Sequence, residues 1–271
     1  MAIGKPLISE SQWDDATITA SESSASFPVT NLLRHGRAHL WSSLDTVGTK
    51  TLKLDAGELR TVSLVVLFHH NGTQAGTFRV RLATTEANLT ASPLHDTGTF
   101  STWATTDMDV LTWKNAYVHV SPSVSARWIQ VDISDEANPD GFFRMGRVLV
   151  ANALQTGFFS LVGSDFATGR DFSILEQTPL GFDYAVVQDP RPAVSRLWST
   201  ELVSEAERLW RAWLLSGLTR DVAVVGTPGA TTIADLSLGI FRFEAEPKIR
   251  WEARMSETEG YLTANLKLRG I

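Results

Sequence analysis

The chain has 271 residues, 43% of them hydrophobic and 20% charged, and a formal net charge of −6. That is an ordinary globular composition with room for one large or two ordinary domains. The acidic balance, with no long basic run, speaks against a nucleic-acid partner, and the absence of cysteine excludes disulfides, thiolate metal sites and cysteine nucleophiles. No apolar run approaches the roughly 20 residues of a membrane helix, and the opening residues do not read as a signal peptide. The expectation is a protein made in a cytosol, with no membrane insertion.

Residues 1–152 read as all-β. Short strand candidates fall at 17–20, 51–54, 62–69, 77–83, 116–120, 127–133 and 145–151. Asn71-Gly72, Ala75-Gly76, Thr97-Gly98 and Asp140-Gly141 punctuate them. Within 127–133, Ile129, Val131 and Ile133 alternate with Trp128, Gln130 and Asp132, as a half-buried strand requires. Strands with no helix pattern between them predict a β-sandwich or jelly roll.

The remainder, 153–271, reads as an α+β unit. Residues 152–192 form a connector broken by glycines and prolines, with a strand candidate at 182–187. Further strands are expected at 193–202, 222–225, 236–243, 249–255 and 262–268, and an exposed loop tip at 226–232. Between the first two lies the one long helix pattern. Ser204 and Glu207 make a capping box, and Ala206, Leu209, Trp210, Trp213 and Leu214 form one apolar stripe. Gly217 stands at the C-cap. The predicted class is thus mainly β: a sandwich over 1–152, then one long helix on an antiparallel sheet over 153–271.

Catalytic patterns are sparse. Adjacent His69 and His70 point to opposite faces of a strand and cannot share one metal without distortion. His35 and His39 lie in a loop-like stretch with no glutamate placed to complete a metal motif. Asp14-Asp15 and Asp107/Asp109 read as solvated surface, since no calcium-loop spacing surrounds them. Asp165, Asp171, Glu176 and Asp183 offer carboxylates for glycoside hydrolysis, but nothing in the spacing sets their separation. There is no Gly-x-Ser-x-Gly elbow, phosphate loop or dinucleotide fingerprint. The expectation is a non-enzyme with no cofactor and no metal.

The chain carries nine tryptophans, a residue suited to interfaces and sugar platforms as well as cores. Trp103 stands in a polar stretch, 97–109, that reads as a loop. With Trp113, His69, His70 and Asn71 it forms a candidate glycan or interface patch. In the helix, Arg208, Trp210 and Arg211 are candidates for a subunit interface.

The order of motifs in the first half resembles the galactose-binding-like (discoidin-type) β-sandwich. The opening strand Ala16-Thr-Ile-Thr-Ala-Ser21 is followed by the turn Phe27-Pro-Val-Thr-Asn-Leu-Leu33, by Trp41-Ser-Ser43 and by the strand Leu52-Lys-Leu-Asp55. The closing strands are 127–133 and Phe142-Phe-Arg-Met-Gly-Arg-Val-Leu-Val150. The resemblance implies that Asn31 satisfies backbone groups in its turn, that Leu32 and Leu33 anchor it, and that Trp41 plugs one end of the sandwich. It also places ligand chemistry in the loops at one end.

The second half is similar to bacteriophage distal-tail and baseplate proteins. A basic-aromatic strand (Ser195-Arg-Leu-Trp198) is followed by an acidic helix start (Ser204-Glu-Ala-Glu207), an aliphatic strand and a late hairpin. That resemblance implies a virion structural protein at the tail tip, closing into a trimeric or hexameric ring below the tail tube and touching tube and hub proteins. The alternative expectation is a carbohydrate-binding adhesion module that recognises cell-surface glycans.

Overall fold

The structure, a computed structural model, describes residues 7–35, 39–110, 113–155, 165–170, 174–177, 183–186, 191–200, 221–226, 228–229, 238–243, 248–253 and 260–270. The strands in chain order are β1 (Leu7–Glu10), β2 (Thr17–Ala20), β3 (Trp41–Ser42), β4 (Lys50–His70), β5 (Thr77–Ala83), β6 (His95–Ser101), β7 (Lys114–Ser134), β8 (Arg144–Ala151) and β9 (Leu154–Gln155). There follow β10 (Asp165–Arg170), β11 (Ile174–Gln177), β12 (Asp183–Val186), β13 (Arg191–Thr200), β14 (Val222–Val225), β15 (Leu238–Phe243), β16 (Lys248–Ala253) and β17 (Gly260–Gly270). Residues 1–155 with 223–239 form one compact unit, and 156–222 with 240–271 another. A division at 152 does not anticipate the return of 223–239 to the first unit.

The first unit is a β-sandwich. One layer is built from β2, the first part of β4, the second part of β7, then β5 and β6. The other is built from β3, β8, the second part of β4 and the first part of β7. β4 and β7 are each 21 residues long and pass together from one layer to the other. The sequence expectation of two separate strands, 51–54 and 62–69, is therefore corrected to one. At the crossing the β4–β7 ladder shifts register between Asp55 and Arg60 and again between Val62 and Leu64, and Gly57 takes φ +75°. Such bulges bend a paired ribbon without breaking it, and glycine enters that φ freely. Gly57, Glu58 and Leu59 are exposed there, so the stretch reads as a loop although the strand runs on through it.

The core between the layers comes from the alternation seen in sequence. Leu52, Leu54, Phe78, Val80, Leu82, Ile129, Val131 and Ile133 from the first layer share one buried cluster with Val65, Leu67, Val148 and Val150 from the second. Each such side chain contributes about 1.5–3 kcal/mol when fully buried. The turn at Val29–Leu33 is a 3-10 helix. Asn31 Nδ2 donates to the Leu40 carbonyl at 2.8 Å, and Leu32 and Trp41 are fully buried. Trp41 closes on Phe143 with ring centroids 6.3 Å apart.

Asp15 is exposed, as expected of a solvated surface residue, but Asp14 is only 26% exposed and faces a buried arginine. Asp14 accepts from Arg147, whose side chain is only 2% exposed, and from His35; Asp15 holds Arg60 through two hydrogen bonds. The reason is that Trp13 beside them is buried and pulls the segment against the sandwich.

The second layer has an apolar outer face as well. Leu64, Val66, Leu149 and Ala151 are fully buried yet stand outside the inter-layer cluster. A layer buried on both sides loses the polar alternation, which is why 64–67 and 148–151 are unbroken apolar runs. Within the same unit β1 pairs with β9 and lies beside β14, and Leu7, Ile8, Val224 and Val225 are buried. The Gly229 N–H, just beyond β14, donates to the Tyr117 hydroxyl at 2.9 Å.

In the second unit β17 is the hub of an antiparallel sheet. One edge pairs with β13, from Ala193↔Arg269 to Thr200↔Leu262. The other is shared end to end by β16 and β15. β10 adds to β13, and β11 and β12 form a separate hairpin. The expected helix at 204–217, with Arg208, Trp210 and Arg211, lies outside the described residues.

Candidate functional site at one end of the sandwich

Four loops meet at the end of the sandwich where β4 stops and β7 begins: residues 43–49, 71–76, 102–110 and 135–143. Polar side chains tie them together. Asp135, only 6% exposed, accepts from the Thr73 backbone at 3.0 Å, from Thr73 Oγ1 at 2.5 Å and from Asn138 Nδ2 at 2.9 Å. Thr102 Oγ1 donates to the Thr73 carbonyl. A Cβ on Gly76 would stand 2.8 Å from Asp135 Cγ, so the chain passes here only as glycine. Glu136 accepts from the Gly48 backbone at 3.1 Å, and Lys50 Nζ holds Asp45, Glu22 and the Val47 carbonyl at 2.6–2.9 Å. A loop end stapled in this way is preorganised, which lowers the ordering cost of binding.

The structure gathers all five residues of the expected patch here, in different roles. His70 points inward and is fully buried, edge-on to Phe78 and stacked with Phe143. Its Nδ1 accepts from the Gly72 N–H at 3.2 Å. Burial, helped by the charges of Lys114 and His69, pushes its pKa down to about 3. His70 is thus a core residue and not a ligand contact, because the bulge between Leu67 and His70 turns it into the sandwich. Asn71 is spent on structure: its Nδ2 donates to Asp140 at 2.7 Å and to the Phe142 carbonyl, and its Oδ1 accepts the Arg144 N–H at 2.8 Å.

His69 turns the other way, at φ +59°, an uncommon conformation for a residue with a Cβ. Its ring lies against Gly146, where an added Cβ would stand 3.0 Å from His69 Cβ, and stacks on Trp113 at 4.4 Å. Trp103 is fixed by its Nε1, which donates to the Gly72 carbonyl at 2.9 Å, and Lys114 Nζ lies 5.6 Å from its ring centre. Both tryptophans are half-buried. β6 takes the first part of the polar stretch 97–109; the loop proper begins at 102.

Among the described residues no three His, Asp or Glu side chains gather as a metal site. Asp165 opens β10, and Glu176 and Asp183 sit on the paired strands β11 and β12. Asp171 lies outside the described residues. Sequence reasoning missed Thr73, Lys114, Asp135, Asn138 and Arg144. Asp140-Gly141 marked the turn that carries some of them, but no local pattern says that Asp135 reaches across to Thr73.

Fold and site together define a mainly β protein with a sandwich unit that carries an aromatic, polar-stapled loop end. No family matches the chain, and no curated protein matches it. Among solved structures the chain is similar to chitosan-binding module 1 of a chitosanase/glucanase from Paenibacillus sp. IK-5, at 15% identity and a TM-score of 0.38, over 51% of this chain and 95% of the module. It is similar to the family 32 CBM of C. perfringens NanJ in complex with galactose, at 14% identity and a TM-score of 0.40, over 53% and 98% of the two chains. A Ruminococcus gnavus GH29 fucosidase matches at 11% identity and a TM-score of 0.39, over 51% of this chain and only 25% of the enzyme.

Proposed function

We propose that the sandwich unit is a carbohydrate-binding module whose ligand lies across Trp103 and Trp113. The observation that carries this reading is the pair of half-buried tryptophans at this end of the sandwich, each with its ring orientation fixed. Trp113 is held by the His69 stack and Trp103 by its bond to Gly72. A fixed indole face offers a flat apolar surface to a pyranose ring, and nearby polar groups orient its hydroxyls. We assign the chain no reaction. An immobilised glycan array followed by titration calorimetry tests the reading. Binding by the wild type, weakened about tenfold or more in Trp103→Ala and in Trp113→Ala, is the expected result. An array silent for the wild type, or variants that bind as it does, would refute it. Carriage of the module on a tail-tip ring is compatible with this function. Native mass over a concentration series tests it: threefold or sixfold rings support ring assembly, and a strict monomer in the presence of tail proteins rejects it.

A further inference from the structure

Arg144 opens β8 at the same loop end, and its environment differs from that of five other described arginines. Arg60, Arg79, Arg81, Arg127 and Arg147 are each paired with a carboxylate. Arg144 has no carboxylate at ion-pair distance among the described residues. Its guanidinium instead lies between two phenyl rings, 4.2 Å from the centre of Phe142 and 4.9 Å from that of Phe27. Its Nε is buried without a hydrogen-bond partner, while the residue as a whole is half-buried, so the Nη edge of the fork is what faces water. The nearest carboxylate along the chain, Asp140, is exposed and is taken by Asn71 Nδ2 at 2.7 Å. The Arg144 N–H bonds to Asn71 Oδ1, and the next residue, Gly72, holds Trp103. Arg144 and Trp103 therefore flank one turn.

A guanidinium clamped between aromatic faces keeps its plane and loses water from both sides. It is left with a rigid fork that matches a planar carboxylate through two parallel hydrogen bonds. We propose that the ligand of this site is an acidic sugar, and that Arg144 receives its carboxylate while the tryptophans receive its ring. The proposal rests on the carbohydrate-binding reading above and names the ligand class for it.

The test is titration of the full chain with a galacturonic-acid oligomer and with the neutral galactose oligomer of the same length. The wild type is expected to prefer the acidic oligomer by about tenfold at low salt, a preference that shrinks as salt rises. Arg144→Met keeps an aliphatic stem between the two rings, so its thermal midpoint checks that it is folded. This variant should lose the preference and keep its affinity for the neutral oligomer. Arg144→Lys should recover only part of the preference, since ammonium lacks the planar fork. Equal binding of both oligomers by the wild type, or an undiminished preference in folded Arg144→Met, overturns the anion subsite and leaves the sugar reading standing. A wild type that binds neither acidic nor neutral sugars, on these oligomers or on an array, overturns both.

Discussion

His69 and Trp113 stack with ring centroids 4.4 Å apart and planes 14° from parallel, and His69 reaches that position only by adopting φ +59°. Two effects can be separated there. His69→Ala and His69→Gly both remove the stack, worth about 1 kcal/mol for an aromatic pair. Alanine also keeps the unfavourable φ, which costs about 1–2 kcal/mol relative to glycine. Urea unfolding should therefore rank the wild type and His69→Gly above His69→Ala. Tryptophan emission should shift to the red in both variants, and a His69→Ala as stable as His69→Gly would contradict the strained backbone.

His70 predicts an acid sensitivity. In the folded protein it stays neutral down to about pH 3 because it is buried, whereas in the unfolded chain it titrates near 6.5. Its folded value is depressed, so its contribution is complete above about pH 6.5 and declines as the pH falls from there towards 3. At pH 5 the loss relative to pH 7.5 is on the order of 2 kcal/mol. His70→Phe keeps a ring against Phe78 and Phe143 and should flatten this part of the stability profile. Urea midpoints at the two pH values decide it, and equal losses in both proteins would count against the assignment.

Asp14 faces the buried Arg147 guanidinium at 2.7 Å. Burial raises its pKa, but the hydrogen bond from His35, the Arg147 charge and the Ser11 hydroxyl outweigh that and hold it below the usual carboxylate value. The stability from this shift is present above about pH 4 and is lost as the pH falls through the lower folded value. Asp14→Asn removes a counter-charge at 2.7 Å from a buried cation and should cost about 3 kcal/mol at pH 7. Thermal melts of wild type and variant should converge as the carboxyl protonates; a constant gap down to pH 2 would show that the charge is not the cause.

Leu64, Val66, Leu149 and Ala151 make the outer face of the second layer apolar and buried. A fragment ending at 155 lacks residues 223–239 of its own compact unit. Exposed apolar faces of this kind drive association. The fragment should aggregate or bind a hydrophobic dye, and the full chain should not. A monomeric, dye-silent fragment would show that 1–155 is self-sufficient.

Much of the first unit was legible in sequence because its strands alternate. The inward set Leu52/Leu54, Phe78/Val80/Leu82 and Ile129/Val131/Ile133 can be read by period alone. The continuity of β4 through Gly57 was not, because an exposed bulge and a loop have the same composition. At the site, the sequence names His69, His70, Asn71, Trp103 and Trp113 but not what each of them touches. Which way a histidine faces depends on a one-residue shift at Leu67/His70 that no periodicity records. Arg144 escaped notice because an arginine declares its partners only in three dimensions.

Composition and pattern by themselves determined that this chain is mainly β, free of cysteine chemistry, with a sandwich core in its first half and turns at its glycine pairs. Those are local properties, set by side-chain period and backbone preference. Only the tertiary structure decided that 223–239 belong with the sandwich, that Asp14 and Asp135 are structural anchors, and that Arg144 stands between two rings with no carboxylate at ion-pair distance among the described residues. Each depends on residues far apart in the chain coming within hydrogen-bond or van der Waals reach, and packing sets that where sequence spacing does not.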